Sequence, residues 1–361
     1  MDYNSFRRKT REISVGGVRI GGNNKIAIQS MTNTDTKDID KTYAQIMELA
    51  EAGCDIVRLT APDKESARSF CLLKEKGVKI PLVADIHFDY KIAIECIEAG
   101  ADKIRINPGN IGDRDRVGAV VRACRSKNIP IRIGVNSGSL EKHLLEKYGS
   151  PTAEALAESA MEHVRILESF DFYDTAISVK ASSPMNMILA NKILAEKTEY
   201  PLHLGVTEAG ARLSATVKSS VGIGALLSLG IGDTVRVSLT DDPTQEVKMA
   251  REILSALSLY ENHGMEIVAC PTCGRTKIDL INLLCEFEER SKKEGLDALP
   301  IKVALMGCVV NGPGEAREAD IGVAGGISEG LLFKKGVPVR KIPEEKLIDE
   351  LISEIKNDFK K

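Results

Sequence analysis

Short β-branched apolar runs alternate along this chain with longer stretches in which apolar residues recur every three or four positions. The pattern predicts strands near Ile26–Met31, Ile56–Thr60, Leu82–His87, Lys103–Asn107, Ile131–Asn136, Ala176–Ala181, Leu202–Thr207 and Thr234–Leu239. Most are followed by a helical pattern, as at Asp38–Ala52, Lys64–Glu75, Asp113–Ser126, Ala153–Ser169 and Gln245–Leu257. Strand alternating with helix implies parallel strands joined by crossovers. Eight such units over about 240 residues match an α/β fold of the (β/α)8 TIM-barrel type, which takes about 250. An open doubly wound sheet is the competitor, but no phosphate-loop or dinucleotide glycine fingerprint follows the first strand.

A repeated segment favours the barrel. Ala52-Gly53-Cys54-Asp55-Ile56-Val57-Arg58-Leu59 aligns with Ala99-Gly100-Ala101-Asp102-Lys103-Ile104-Arg105-Ile106, and more loosely with Gly230–Val237. Each copy reads as a helix end, a glycine turn and a strand with arginine three residues past aspartate; such self-similarity marks repeated supersecondary units. After Leu259 the pattern changes. Residues 1–259 form the expected barrel, 260–264 (YENHG) a polar linker, and 265–361 a small C-terminal α/β domain. That domain has a helix over Thr276–Lys293, strands at Ile301–Met306 and Asp320–Ala324, a hairpin around Leu331–Arg340 and a helix over Pro343–Asp358.

Catalytic groups of such barrels gather at the C-terminal ends of the strands. Polar residues cluster there in this sequence: Gln29, Arg58, Asp85 with His87, Arg105 with Asn107, Arg132 with Asn136, Lys180, Glu208, and Arg236 with Ser238. Residues two apart share a face of a strand, so Arg58, Arg105, Arg132, Lys180 and Arg236 converge on one mouth if they point inward. Crowded cations call for an anionic ligand, and arginine's planar fork suits phosphate. The expectation is a small phosphorylated or diphosphorylated substrate. The bland alternative pairs these arginines with helix carboxylates such as Glu51 or Glu98. Glu208, in LGVTEAG, is either an acid–base group or the partner of a nearby cation.

Composition narrows the class. The chain has 361 residues, with 49 basic and 52 acidic side chains and a formal charge of −3, which gives no net attraction to a polyanion. Only 15 aromatic residues (8 Phe, 7 Tyr, no Trp) leave few platforms for stacking on bases. The longest stretch without charge, Ser219–Gly232, is shorter than the roughly 20 apolar residues of a spanning helix. The basic N-terminus leads into no apolar run of the secretory kind. With 8 cysteines and no such signal, a reducing, cytoplasmic setting is expected, without nucleic-acid or membrane partners.

Three of those cysteines stand apart. Cys270-Pro-Thr-Cys273-Gly-Arg and Gly307-Cys308-Val-Val-Asn-Gly-Pro-Gly-Glu315 are loops just past predicted strands. Cys54 sits in a turn, and Cys71, Cys96, Cys124 and Cys285 fall in helical patterns at apolar positions, as small buried hydrophobes do. Three thiolates fall short of a closed zinc site, which takes Cys or His in all four places, and the one nearby histidine is His263. A [4Fe–4S] cluster on three cysteines leaves one iron for a weaker ligand or a substrate. Glu315 is then the natural oxygen donor.

These motifs resemble the bacterial 4-hydroxy-3-methylbut-2-enyl diphosphate synthase family of the non-mevalonate isoprenoid pathway. The likeness extends through Ile28-Gln-Ser-Met-Thr-Asn-Thr34, Ala84-Asp-Ile-His-Phe88, Arg105-Ile-Asn-Pro-Gly109, Arg132-Ile-Gly-Val-Asn136 and Gly205-Val-Thr-Glu-Ala-Gly210, and no extra middle domain intervenes before Met265. It implies reductive ring opening and dehydration of 2-C-methyl-D-erythritol 2,4-cyclodiphosphate. It implies a [4Fe–4S] cluster on Cys270, Cys273, Cys308 and Glu315, and diphosphate contacts from Arg58, Arg105, Asn107, Arg132, Asn136, Lys180 and Ser238, with Glu208 as proton donor. It further implies a homodimer whose active site is shared between subunits, supplied with electrons by flavodoxin or ferredoxin. Two other classes stand against it. One is an electron carrier without a substrate, which needs no cationic mouth; the other is a dihydropteroate-synthase-type transferase with a zinc tail, which needs a fourth Cys or His.

Overall fold

The computed structural model describes residues 3–107, 109–260, 264–308, 314 and 316–360. The chain divides into two compact units, Met1–Tyr260 and Glu261–Lys361. Most of the predicted linker, including His263, lies outside the described residues.

The first unit opens with a hairpin, β1 (Ile13–Val15) and β2 (Val18–Ile20), turned by Gly16 and Gly17, both at positive φ. Eight parallel strands follow: β3 (Ala27–Met31), β4 (Ile56–Thr60), β5 (Leu82–Asp85), β6 (Lys103–Ile106), β7 (Ile131–Asn136), β8 (Thr175–Lys180), β9 (His203–Leu204) and β10 (Thr234–Val235). They pair in the order β8-β7-β6-β5-β4-β3-β10-β9, and a bridge between Ile177 and Leu202 brings the two ends together. Helices α1 to α9 run over Ile39–Glu51, Lys64–Glu75, Tyr90–Glu98, Arg114–Lys127, Lys142–Tyr148, Ala153–Glu168, Pro184–Lys197, Arg212–Leu227 and Pro243–Ala256. The barrel expectation therefore holds. The last two strands are shorter than predicted: Gly205 and Thr207 follow the end of β9 and Arg236 the end of β10, although the Arg236 N–H still donates to the Leu204 carbonyl (2.9 Å).

The repeated aspartates explain how neighbouring strands are registered. Asp55 accepts from the Ile28 N–H and donates its own N–H to the Ile28 carbonyl (2.8 Å each). Asp102 does the same to Leu82 (2.7 and 2.8 Å), and Asp233 to Leu202 (2.8 and 2.9 Å). Each clasps both polar groups of one residue on an adjacent strand, satisfying backbone that burial would otherwise strand without water. Since side chains alternate across a strand, the arginine three residues on faces inward.

The barrel is apolar at its base and polar above. Ala27, Ile56, Val83 and Ala176 meet Ile13, Val15 and Ile20 of the hairpin, which plugs that end. Above them the interior holds Gln29, Lys103, Arg132, Ser178, His203 and Thr234, all buried, where such barrels ordinarily stack branched apolar residues. The main apolar core lies instead between the strands and the surrounding helices.

The second unit is a five-stranded mixed sheet, β11 (Glu266–Ala269), β12 (Lys302–Met306), β13 (Ile321–Gly325), β14 (Glu329–Lys334) and β15 (Val337–Pro343), paired in chain order. The first three strands are parallel and the last three antiparallel. Helices α10 (Leu280–Lys293) and α11 (Leu347–Phe359) share its core, around Phe287, Leu351 and Ile355. Helix α10 starts four residues later than predicted, because Thr276 is tied to the cysteine loop: it donates its N–H to the Cys273 carbonyl (2.9 Å) and its Oγ1 accepts from the Cys273 N–H (3.0 Å). Among the described residues no helix is long and apolar enough to cross a membrane.

Candidate active site

At the C-terminal end of the barrel strands a cavity of about 140 Å³ is lined by Arg58, Asp85, His87, Arg105, Asn136, Ser178, Lys180, Thr207, Arg236 and Ser238. Strand register assembles it. Asp85 lies beside Arg105, Arg105 beside Arg132, and Asn136 beside Lys180. Two glycines leave room for the cations: a Cβ on Gly134 would stand 2.1 Å from Arg105 Nε, and one on Gly205 would stand 3.2 Å from Lys180 Nζ. Arg105 instead lies over the strand, donating to the Gly134 carbonyl (2.9 Å) and to Asp85 (3.2 Å). With its amide turned to suit its neighbours, Asn136 accepts from Arg105 as well (3.1 Å).

Asp85 is shared between Arg105 and Arg58, the latter at 3.8 Å. Burial alone would raise its pKa, but the two guanidinium groups outweigh that and hold it at about 2. Arg236 is paired with Glu246 on α9 (3.2 Å), whose oxygens also accept from the Ser30 hydroxyl and the Leu239 N–H. The predicted ring of bare cations is thus partly neutralised, and not by Glu51 or Glu98. Two carboxylates still face Arg58, Arg105, Arg132, Lys180 and Arg236, so positive charge is in excess.

That excess is poorly solvated. Burial, only partly offset by Asp85 and reinforced by Arg236 and Arg105, pushes Arg58 down to about 10. Lys180 is driven well below its ordinary value by burial and the charges of Arg236, Arg58 and Arg132. Arg132 differs from the expectation of a mouth residue: it is 0% exposed and lies beneath the cavity rather than on its wall. None of its three guanidinium nitrogens has an acceptor among the described residues. Guanidinium does not give up its proton in proteins, so this is a buried cation without a partner. Asn107 is also off the wall, 4% exposed, with Oδ1 unpartnered. Glu208 is exposed, on left-handed backbone at φ 52°, and does not line the cavity.

In the second unit Cys270 follows β11 directly and Cys308 lies two residues beyond β12. Gly307 donates its N–H to Cys270 Sγ (3.1 Å), and Thr272 bends the intervening loop at φ 38°. Cys273 is exposed, and Cys270 and Cys308 are half-buried, all as free thiols. Cys308 lines a cavity of about 670 Å³ with Gly274, Arg275 and Ile327. Among the described residues no three His, Cys, Asp or Glu side chains are gathered closely enough to hold a metal ion. Glu315 lies outside the described residues. The donor set suits a thiophilic cluster in kind, with three thiols on adjacent strand-end loops and a backbone N–H already directed at one sulfur.

Residues 10–251 match the model of the GcpE TIM-barrel domain and residues 266–357 that of the GcpE protein C-terminal domain. The chain belongs to the GcpE family. It is 59% identical over 350 residues to the 4-hydroxy-3-methylbut-2-en-1-yl diphosphate synthase (flavodoxin) of Clostridium perfringens, covering 96% of this chain and 98% of that one. It is 56% identical over 351 residues to the enzyme of the same name from Bacillus subtilis, covering 97% and 92%. A phospho-2-dehydro-3-deoxyheptonate aldolase of Thermotoga maritima shares the barrel alone, at 13% identity and a TM-score of 0.50, covering 71% of this chain and 76% of that one.

Glu246 and Ser178 of this GcpE chain were not among the residues expected from the sequence. Glu246 had a signal: with Pro243, Val247, Ala250, Ile253 and Leu254 it lies on the buried stripe of α9, where a carboxylate needs a partner. Ser178 had one too, two residues before Lys180 on the same strand face. Two cysteines depart from expectation. Cys71 and Cys285 are exposed, because the core-facing positions of their helices are taken by Phe70 with Leu73 and by Phe287.

Proposed function

We propose that this chain is a 4-hydroxy-3-methylbut-2-enyl diphosphate synthase of isoprenoid biosynthesis. It opens 2-C-methyl-D-erythritol 2,4-cyclodiphosphate reductively, taking up two electrons and two protons and releasing one water with the linear allylic diphosphate. The observation that carries the reading is the unneutralised positive charge at the barrel mouth, with the Arg132 guanidinium buried beneath it without an acceptor. Such an arrangement is costly without an anion and favourable with one.

Arg58, Arg105, Arg132 and Lys180 hold the diphosphate, and Asn107, Asn136 and Ser238 complete its hydrogen bonds. Asp85 fixes the forks of Arg58 and Arg105 toward the cavity, and Glu246 does the same for Arg236. Glu208 supplies a proton to the departing hydroxyl from the rim. Cys270, Cys273, Cys308 and Glu315 would hold a [4Fe–4S] cluster, which when bound supplies low-potential electrons one at a time. Flavodoxin, part of the relatives' names, or a ferredoxin is the donor. The working form is a cytoplasmic homodimer in which one subunit's cluster domain covers the other's barrel.

Arg105→Ala and Arg132→Ala test the pocket. Each is expected to raise the KM for the cyclic diphosphate or abolish turnover while the chain stays folded by circular dichroism. Unchanged kinetics in both would remove the pocket from the reading.

A further inference from the structure

We propose that Glu141 and His163 are a positioning pair that sets the chain just past Asn107 and Asn136; the proposal rests on the diphosphate reading above. His163 stands on α6 with its side chain 3% exposed. Its Nδ1 accepts from the Gly109 N–H (3.2 Å), two residues past Asn107. Its Nε2 meets Glu141 Oε1 at 2.7 Å, and Glu141 precedes α5 on the loop that leaves Asn136. One imidazole therefore brackets the loops after β6 and β7.

The chemistry fixes the direction of both bonds. An amide N–H can only donate, so Nδ1 must keep its lone pair and the proton must reside on Nε2. A neutral imidazole chooses that tautomer when an anion faces Nε2. Burial would raise the Glu141 pKa, but the hydrogen bond from His163 and the polar groups of Ser159 and its own backbone together outweigh it and hold the carboxyl at about 2, so the anion is present. The backbone also comes unusually close: a Cβ on Gly109 would stand 2.6 Å from His163 Cε1. Residue 109 must stay glycine for the bond to form. A second histidine–carboxylate pair, His143 with Glu162 at 3.1 Å, is more exposed than the His163–Glu141 pair and serves as a control.

What the bracket positions is Asn107, buried with an unpartnered Oδ1 and held in a turn by its carbonyl, which accepts from the Asn110 N–H (2.9 Å). A ground-state contact set slightly wrong weakens binding more than it slows chemistry. In the full-length protein reconstituted with iron and sulfide, Glu141→Gln and Gly109→Ala are expected to raise the KM for the cyclic diphosphate about tenfold, the effect of one misaligned hydrogen bond. Their kcat should stay within about twofold. Glu162→Gln should leave both constants unchanged. Nitrogen-15 NMR of the wild-type protein should show His163 protonated on Nε2 alone, a readout that needs no variant.

The proposal is overturned if His163 carries its proton on Nδ1. It is overturned equally if Glu141→Gln and Gly109→Ala lower the melting temperature but leave KM where it was while Arg105→Ala raises it. Should Arg105→Ala leave KM unmoved as well, the diphosphate reading fails and takes this proposal with it.

Discussion

The two units of this chain carry their reactive residues in different ways. In the barrel Arg58, Arg105, Arg132 and Lys180 project from strands, and their directions follow from register, with aspartate clasps three residues before Arg58 and Arg105. In the C-terminal unit Cys270, Cys273 and Cys308 sit on loops just past strand ends, tied to the sheet by single hydrogen bonds such as that from the Cys270 N–H to the Leu305 carbonyl (3.3 Å). Strand-borne charges are held in place by the fold even where their proximity is unfavourable, whereas loop-borne thiols rely on the group they bind to organise them. The same clasp occurs in both units: Asp320 accepts from the Lys302 N–H (2.9 Å) and donates back to its carbonyl (2.8 Å), as Asp233 does to Leu202. Only in the barrel do such aspartates precede the cations.

This contrast is open to direct attack. The largest effect should come from Cys273→Ser, which is expected to lose the brown colour and all turnover while the barrel still binds the cyclic diphosphate within about twofold of wild type by calorimetry. Loss of binding would show that the units are not separable in this way. Asp233→Ala should come next. It leaves Arg7, paired to Asp233 at 2.9 Å and buried, without its partner, at a cost of about 3–5 kcal/mol in chemical denaturation. Asp320→Ala, with no buried cation to orphan, should cost only about 1–2 kcal/mol.

Arg132→Met should move stability the other way. Replacing a buried, unpartnered cation by an apolar chain of similar length is expected to stabilise the fold by about 1–3 kcal/mol while abolishing substrate binding. A destabilised Arg132→Met protein would mean that the charge is neutralised within the fold. The last effect concerns pH. Asp85 has a folded pKa of about 2 against an ordinary 3.8, so its contribution is complete above about pH 4 and disappears as pH falls toward 2. It amounts to about 2 kcal/mol. Asp85→Asn should flatten the acid limb of the stability curve over that interval.

Barrel topology was legible because strand and helix periods alternate so regularly, and Ile56–Thr60 and Ile131–Asn136 come out at their predicted bounds. The N-terminal hairpin, not among the sequence expectations, had a signal too: Ile-Ser-Val-Gly-Gly-Val-Arg-Ile has alternating strands about a two-glycine turn. The depth of Arg132 could not be read, since alternation gives the face of a strand and not the layer of the barrel. Nor could the Asp85 and Glu246 pairings. They depend on which strands and helices become neighbours, and that is a property of closure. The course of the cysteine loops was least legible, because loop conformation leaves no period in the sequence.

The account is tested most directly by supplying full-length protein, reconstituted anaerobically with iron and sulfide, with the cyclic diphosphate and a strong low-potential one-electron donor, and following phosphorus by NMR. The expected result is a brown protein holding about four irons per chain and conversion of the cyclic signals to those of a linear allylic diphosphate. A colourless protein with a single zinc, or a brown one that leaves the ring intact, would contradict it.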